Sequence, residues 1–300
     1  MQRIGLMFAG LCFWVGCVDF EKQTMIYRHY PQADTLVIWQ QYEGIYGAGG
    51  EEALSPTEIE QLQSVVQGQR TFFFHNWIFE YHAAQVTDDL KRLRTELQAK
   101  TNTPEQKIVL RKAFELAELA AQNIRVKNGP FYQNAEGKLS ATQEVTITNV
   151  GKIIAAANHY ILANVQQELN SGVLDPDDPG YLPLVEKALD SKLAVIQMQG
   201  QNLQVRWPVT QQMYKDEDSQ KGIKNFQQLG GRVSFKDNLL TVELGARKGQ
   251  QAKLSGVIPE KKYADNALAH VKQRYELKEP FDPVAARADF FRRMDSHYKK

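Results

Sequence analysis

The chain has 300 residues, 43% of them hydrophobic and 24% charged, with 36 Lys and Arg against 35 Asp and Glu. A balance this close to neutral lacks the basic excess of a nucleic-acid-binding domain, so no nucleic-acid partner is expected. Both cysteines, Cys12 and Cys17, precede Val18, which excludes disulfide stapling and thiol catalysis from the rest of the chain.

Met1-Gln2-Arg3 forms a charged stub, and the apolar run from Ile4 to Val15 is too short to cross a hydrocarbon layer of roughly 30 Å as a helix. It ends at Trp14-Val15-Gly16-Cys17. Those residues resemble the lipobox of bacterial lipoprotein precursors. Gly16 and Cys17 carry the resemblance, while Trp14 stands where a leucine-like residue is usual. The resemblance implies a signal peptide over 1–16, cleavage that frees Cys17 as the new N-terminus, and a diacylglycerol on its sulfur. It implies nothing about the mature fold. Two acyl chains hold a protein on a membrane where one binds only marginally. Three other readings stay open: ordinary signal-peptidase cleavage, an uncleaved N-terminal anchor, and translation from Met25.

A tether is expected over residues 17–24. Thr35 to Trp39 reads as a buried strand, and glycines from Gly44 to Gly50 break the chain. Ser55-Pro56-Thr57-Glu58 then has the form of a helix start with a capping box, and Ile59, Leu62, Val65 and Val66 form the apolar stripe. Thr71 to Tyr81 is dense in aromatics and reads as a buried strand. Thr87 is expected to cap a helix with Leu90, Leu93 and Leu97 on one face. Thr103-Pro104 opens a longer one. A hairpin follows, from Arg125 to Gln133 and Lys138 to Thr148, turning at Asn134–Gly137. Gly151 to Leu169 is helical, and a short helix falls near Leu184–Leu189. Two more hairpins turn at Gly200-Gln201-Asn202 and Asp237-Asn238. Helices near 263–275 and 283–298 close the chain. Adjacent strand pairs with short turns favour an α+β fold of antiparallel β-hairpins packed with amphipathic helices. Residues 25–300 read as a single domain with a weak boundary near 171–183.

Candidate chemistry is sparse. Glu80 and His82 share one face of the aromatic strand and form a possible acid–base or ligand pair, while His75 points the other way. His159 lies opposite the apolar stripe of its helix, His270 flanks an apolar face, and His29 and His297 lie near the chain ends. Asp175, Asp177, Gly180 and Glu186 match the spacing of a calcium loop, but Pro179 replaces the fifth-position ligand, so a rigid acidic turn is the better reading. No nucleophile, zinc or phosphate-loop motif is present. No cofactor and no metal site are expected. These observations point to a lipoprotein of the cell envelope, held on the membrane through a lipid at Cys17. It would be a non-enzymatic binding or structural protein with an envelope-protein partner. A membrane-tethered hydrolase using an unrecognised carboxylate or histidine site is the alternative.

Overall fold

A computed structural model describes residues 18–47, 53–67, 81, 83–172, 180–228, 230–244, 252–257 (backbone only) and 265–299. The fold is α+β, with antiparallel hairpins packed against helices, as expected. The chain divides into two compact units whose segments interleave. One holds residues through Ala84, Ile124–Ile147 and everything from Lys253; the other holds Gln85–Asn123 and Thr148–Ala252. The Pro/Asp loop near 171–183, expected as a weak boundary, lies inside the second unit.

The first unit is built on strands β1 (Val18–Tyr30) and β2 (Thr35–Gly47), paired antiparallel from Val18↔Gly47 to Tyr30↔Thr35. They lie inside a five-stranded sheet with β3 (Ile124–Gln133), β4 (Leu139–Thr148) and β9 (Ala252–Val257), in the order β3-β4-β2-β1-β9. Both faces of the central pair are covered, which is why their burial is nearly continuous. On one face Val18, Phe20, Tyr42 and Ile45 meet Leu62 and Val65 of helix α1 (Pro56–Val66) and Ala267, Leu268 and Val271 of α8 (Asn266–Arg274). On the other, Ile26, Tyr30, Val37 and Trp39 meet Phe290 and Phe291 of α9 (Pro283–Tyr298). Gly44 has φ +69, and a Cβ there would fall 2.7 Å from the Glu21 side chain. Only glycine suits that point of β2.

Residues 18–24 are therefore no tether. They form the first half of β1, with Val18 5% and Phe20 2% exposed. Its charges are paired: Lys22 with Glu43 directly across the ladder at 2.8 Å, and Glu21 with Lys138 at 2.6 Å. In α1 the capping box is complete. Glu58 N–H donates to Ser55 Oγ at 3.3 Å, and Ser55 N–H donates to the Glu58 carboxylate at 2.7 Å.

The second unit contains helices α2 (Ala83–Gln98, from Gln85), α3 (Pro104–Asn123), α4 (Val150–Asn170) and α5 (Tyr181–Asp190), with α3 lying along α4. The helix α2 starts at Ala83, so Thr87 is an interior residue, not its cap. A four-stranded sheet follows: β5 (Ile196–Gln199), β6 (Asn202–Pro208), β7 (Arg232–Lys236) and β8 (Leu239–Leu244), ordered β5-β6-β8-β7. Asp237 and Asn238 both take positive φ, 52 and 59, as a two-residue hairpin turn requires. Between β6 and β7 stand two helices absent from the sequence reading, α6 (Gln211–Lys215) and α7 (Glu217–Gln228).

Register sorts this sheet into two faces. Ile196, Val205, Val242 and Val233 align across the four strands, as do Trp207, Leu240 and Phe235. Tyr181, Val185 and Val165 pack with Trp207, whose Nε1 donates to Tyr181 Oη at 2.8 Å. The opposite face carries a polar row, Gln197, Gln204, Glu243 and Arg232, hydrogen-bonded strand to strand.

Candidate functional site

Among the described residues, three places gather polar or accessible chemistry. The first is the root of β1. Val18 N–H donates to Gln61 Oε1 at 3.0 Å, and its ladder partner Gly47 is gripped by Asn266, itself 3% exposed. Gly47 N–H donates to Asn266 Oδ1 at 2.9 Å, and that oxygen also accepts Ala267 N–H at 2.7 Å. A Cβ on Gly47 would lie 2.5 Å from Leu54 and 2.8 Å from Glu58 Oε1. Here a glycine lets the sheet end approach α1 and α8 closely. Cys17, the expected lipid attachment point, lies outside the described residues, as does Cys12.

The second is an open cleft of about 620 Å³ within the second unit, between α3, α4 and the end of α5. Leu162, Leu189 and Leu193 give it apolar walls, and Lys112, His159, Asp190 and Lys192 bring charge or a titratable ring to it. Lys112 pairs with Glu115 at 2.9 Å, and Lys192 sits in a left-handed turn at φ 50. Asn158 lies in the lining but is engaged elsewhere. Its Nδ2 donates to Ile196 O at 2.8 Å, and its Oδ1 accepts Ile196 N–H at 2.7 Å. A single amide thus satisfies both main-chain groups on the edge strand β5, as a neighbouring strand would. Among the described residues no hydrogen bond joins His159 to Asp190.

The third is a buried polar chain in the first unit. Tyr42 Oη contacts Gln40 Oε1 and lies 3.1 Å from Gln143 Oε1; Gln143 Nε2 donates to Asn128 Oδ1 at 2.8 Å. Asn128 Nδ2 in turn donates to the carbonyls of Val65 and Val66 at 2.5 and 3.0 Å, closing the C-terminal end of α1. Burial pushes the Tyr42 hydroxyl well above the usual phenol range, with Gln23 working the other way. Trp39 Nε1, Gln40 Nε2 and Thr142 Oγ1 are buried without a partner.

Shifted titratable groups elsewhere have structural partners. Burial works to raise the Asp295 carboxyl, but Arg28, Tyr30 and Lys299 outweigh it and hold that group below the usual range. Tyr30 Oη donates to Asp295 at 2.7 Å, and burial, then this bond, pushes the phenol up to about 12. The Arg28 guanidinium contacts Asp295 and stacks 4.7 Å above the Phe291 ring.

The sequence candidates disperse. His29 is buried in β1, His159 is exposed beside the cleft, His270 is lowered by burial and then by Arg274, and His297 packs edge-on against Tyr298. Glu80, His82 and His75 lie outside the described residues, as do Asp175 and Asp177; Glu186 is exposed on α5. Among the described residues no three His, Cys, Asp or Glu side chains converge as a metal would require, and no helix is long and apolar enough to cross a membrane. Asn158 and Asn266 were missed because their partners lie 38 and 219 residues away, and no local pattern announces such a bond. Comparison with protein-family models, with curated proteins and with solved structures finds no match.

Proposed function

We propose that this chain is a lipid-anchored protein of the bacterial cell envelope, held through Cys17, whose folded units bind or support another envelope component without catalysing a reaction. One observation supports the reading: Val18 and Phe20, just after Cys17 in the sequence, are buried and paired with β2. Cleavage between Gly16 and Cys17 would leave the described strand β1, Val18–Tyr30, whole. Translation from Met25 would remove Val18, Phe20, Gln23 and Thr24, all buried and all paired with β2. The non-catalytic half of the reading is supported by the titratable groups. Tyr30, Tyr132 and Asp295, all clearly shifted, sit in ion pairs and buried packing, whereas catalytic groups of shifted pKa gather in a cleft. Growth with labelled palmitate should tag the protein, and Cys17→Ser should abolish the tag. Persistence of the label in that variant would sink the anchor.

A further inference from the structure

We propose that the first unit sits directly on the bilayer, with no spacer between anchor and fold. The end of the sheet that carries Val18 and Gly47 would face the lipid headgroups, and the Pro31–Ala33 end would stand furthest away. This rests on the anchoring through Cys17 argued above and adds the placement of the folded unit on the membrane.

The argument is one of reach. Consecutive Cα atoms are about 3.8 Å apart, so a lipid on Cys17 hangs one residue from Val18. Val18 cannot pay out slack, because it is buried, paired with Gly47 and bonded to Gln61. Beyond it the ladder runs to Tyr30 in one register, skipping only Glu21 opposite Gly44. A flexible tether of ten residues would let a domain wander by roughly 18 Å. Here that freedom is absent. The headgroup layer is only about 5–8 Å deep on each side, so glycerol seated at its base draws the β1 root to the membrane surface. Thirteen strand residues then separate the two ends of the hairpin, about 40 Å at strand rise. Ala53, next to the Leu54 that abuts Gly47, is exposed at the near end, and Gln32 is exposed at the far one. Since covalent reach alone sets the contact, salt should not dislodge it.

The test uses the full chain purified from membranes and reconstituted in phosphatidylethanolamine–phosphatidylglycerol vesicles. Ala53→Cys or Gln32→Cys supplies the one free thiol of the acylated protein for a fluorophore, and headgroup spin-labelled lipid quenches it. Quenching should be several-fold stronger at position 53 than at 32, and unchanged in high salt. Inserting ten Gly/Ser residues between Cys17 and Val18 should erase that difference. It should also let protease shed an intact folded body, which the unmodified chain should not release. Equal quenching at both positions, or shedding of the unmodified chain, in protein that carries the palmitate label refutes the seating alone. An unlabelled chain refutes the anchor and the seating together.

Discussion

A chain that starts at Met25 should fail to fold its first unit, whereas one that starts at Val18 should fold. The shortened chain lacks residues 18–24, six of which pair with β2 between Gln41 and Gly47, and loses two core side chains, Val18 and Phe20. Burying side chains of this kind is worth roughly 1.5–3 kcal/mol each. Every strand hydrogen bond lost adds about 0.5–1.5 kcal/mol, and several go at once. The Phe20–Tyr42 edge contact, with centroids 5.2 Å apart, disappears too. A total loss of about 6–10 kcal/mol is comparable with the whole stability of a typical domain, about 5–15 kcal/mol. Urea titration followed by tryptophan emission reports on Trp39, which is buried against Phe290. The Val18 chain should give a cooperative transition, and the Met25 chain should show Trp39 solvated before urea is added. Phe20→Ala calibrates the scale, with an expected cost of about 3–5 kcal/mol. Matching midpoints and slopes for the two chains would show that β1 does not need its first half, and the reasoning about the leader junction would fall with it.

Other outcomes follow from particular contacts. Gly129→Ala should destabilise the first unit strongly, because the new Cβ would stand 2.0 Å from Thr142 Oγ1; adding Thr142→Ala should recover much of the loss, since that oxygen has no hydrogen-bond partner. Chemical denaturation of the three variants measures both effects. A double-mutant cycle on Arg28 and Asp295 should give a coupling of about 1 kcal/mol that shrinks in salt, because the side chains remain 21% and 30% exposed. Stability should also fall in alkali. Tyr30 and Tyr132 are both pushed up to about 12 in the fold, above the unfolded value near 10. Their contribution is whole below about pH 10 and drains away as pH rises through about 12. Melts across that window should flatten in the Tyr30→Phe, Tyr132→Phe pair. Asp295 runs in the opposite sense: depressed in the fold, it adds stability above about pH 4 that is lost on acidification.

Local chemistry was readable wherever it was self-contained. Ser55-Pro56-Thr57-Glu58 closes a helix end with its own atoms, and Asp237-Asn238 supplies two left-handed residues at the turn that needs them. Thr103 and Gln106 likewise bond each other's main-chain N–H at the start of α3. What could not be read depends on distant partners. The first half of β1, expected as a tether, could not be read as a strand because Glu21 and Lys22 find their counter-ions far along the chain, beside β4 and on β2, and because burial on both faces erases the alternation that marks a strand. The helix α7 has a strongly polar sequence and buries only Phe226; Asp216 supports its start by accepting Asp218 and Ser219 N–H at 3.2 and 3.3 Å. Of the candidate site, the sequence pointed to Cys17 but not to the grip on the residue that follows it, since Gln61 and Asn266 are both remote in the chain.

The pairing of β1 with α9 has a consequence for synthesis. Arg28 and Tyr30 meet Asp295, and Ile26 meets the cluster of Phe290 and Phe291. The hairpin therefore waits for a segment 267 residues further along the chain before this face is covered. At elongation rates of about 5–20 residues per second the interval is tens of seconds. Throughout it, this largely apolar hairpin is a nascent ribbon with one flank bare, and a holding chaperone should find it there.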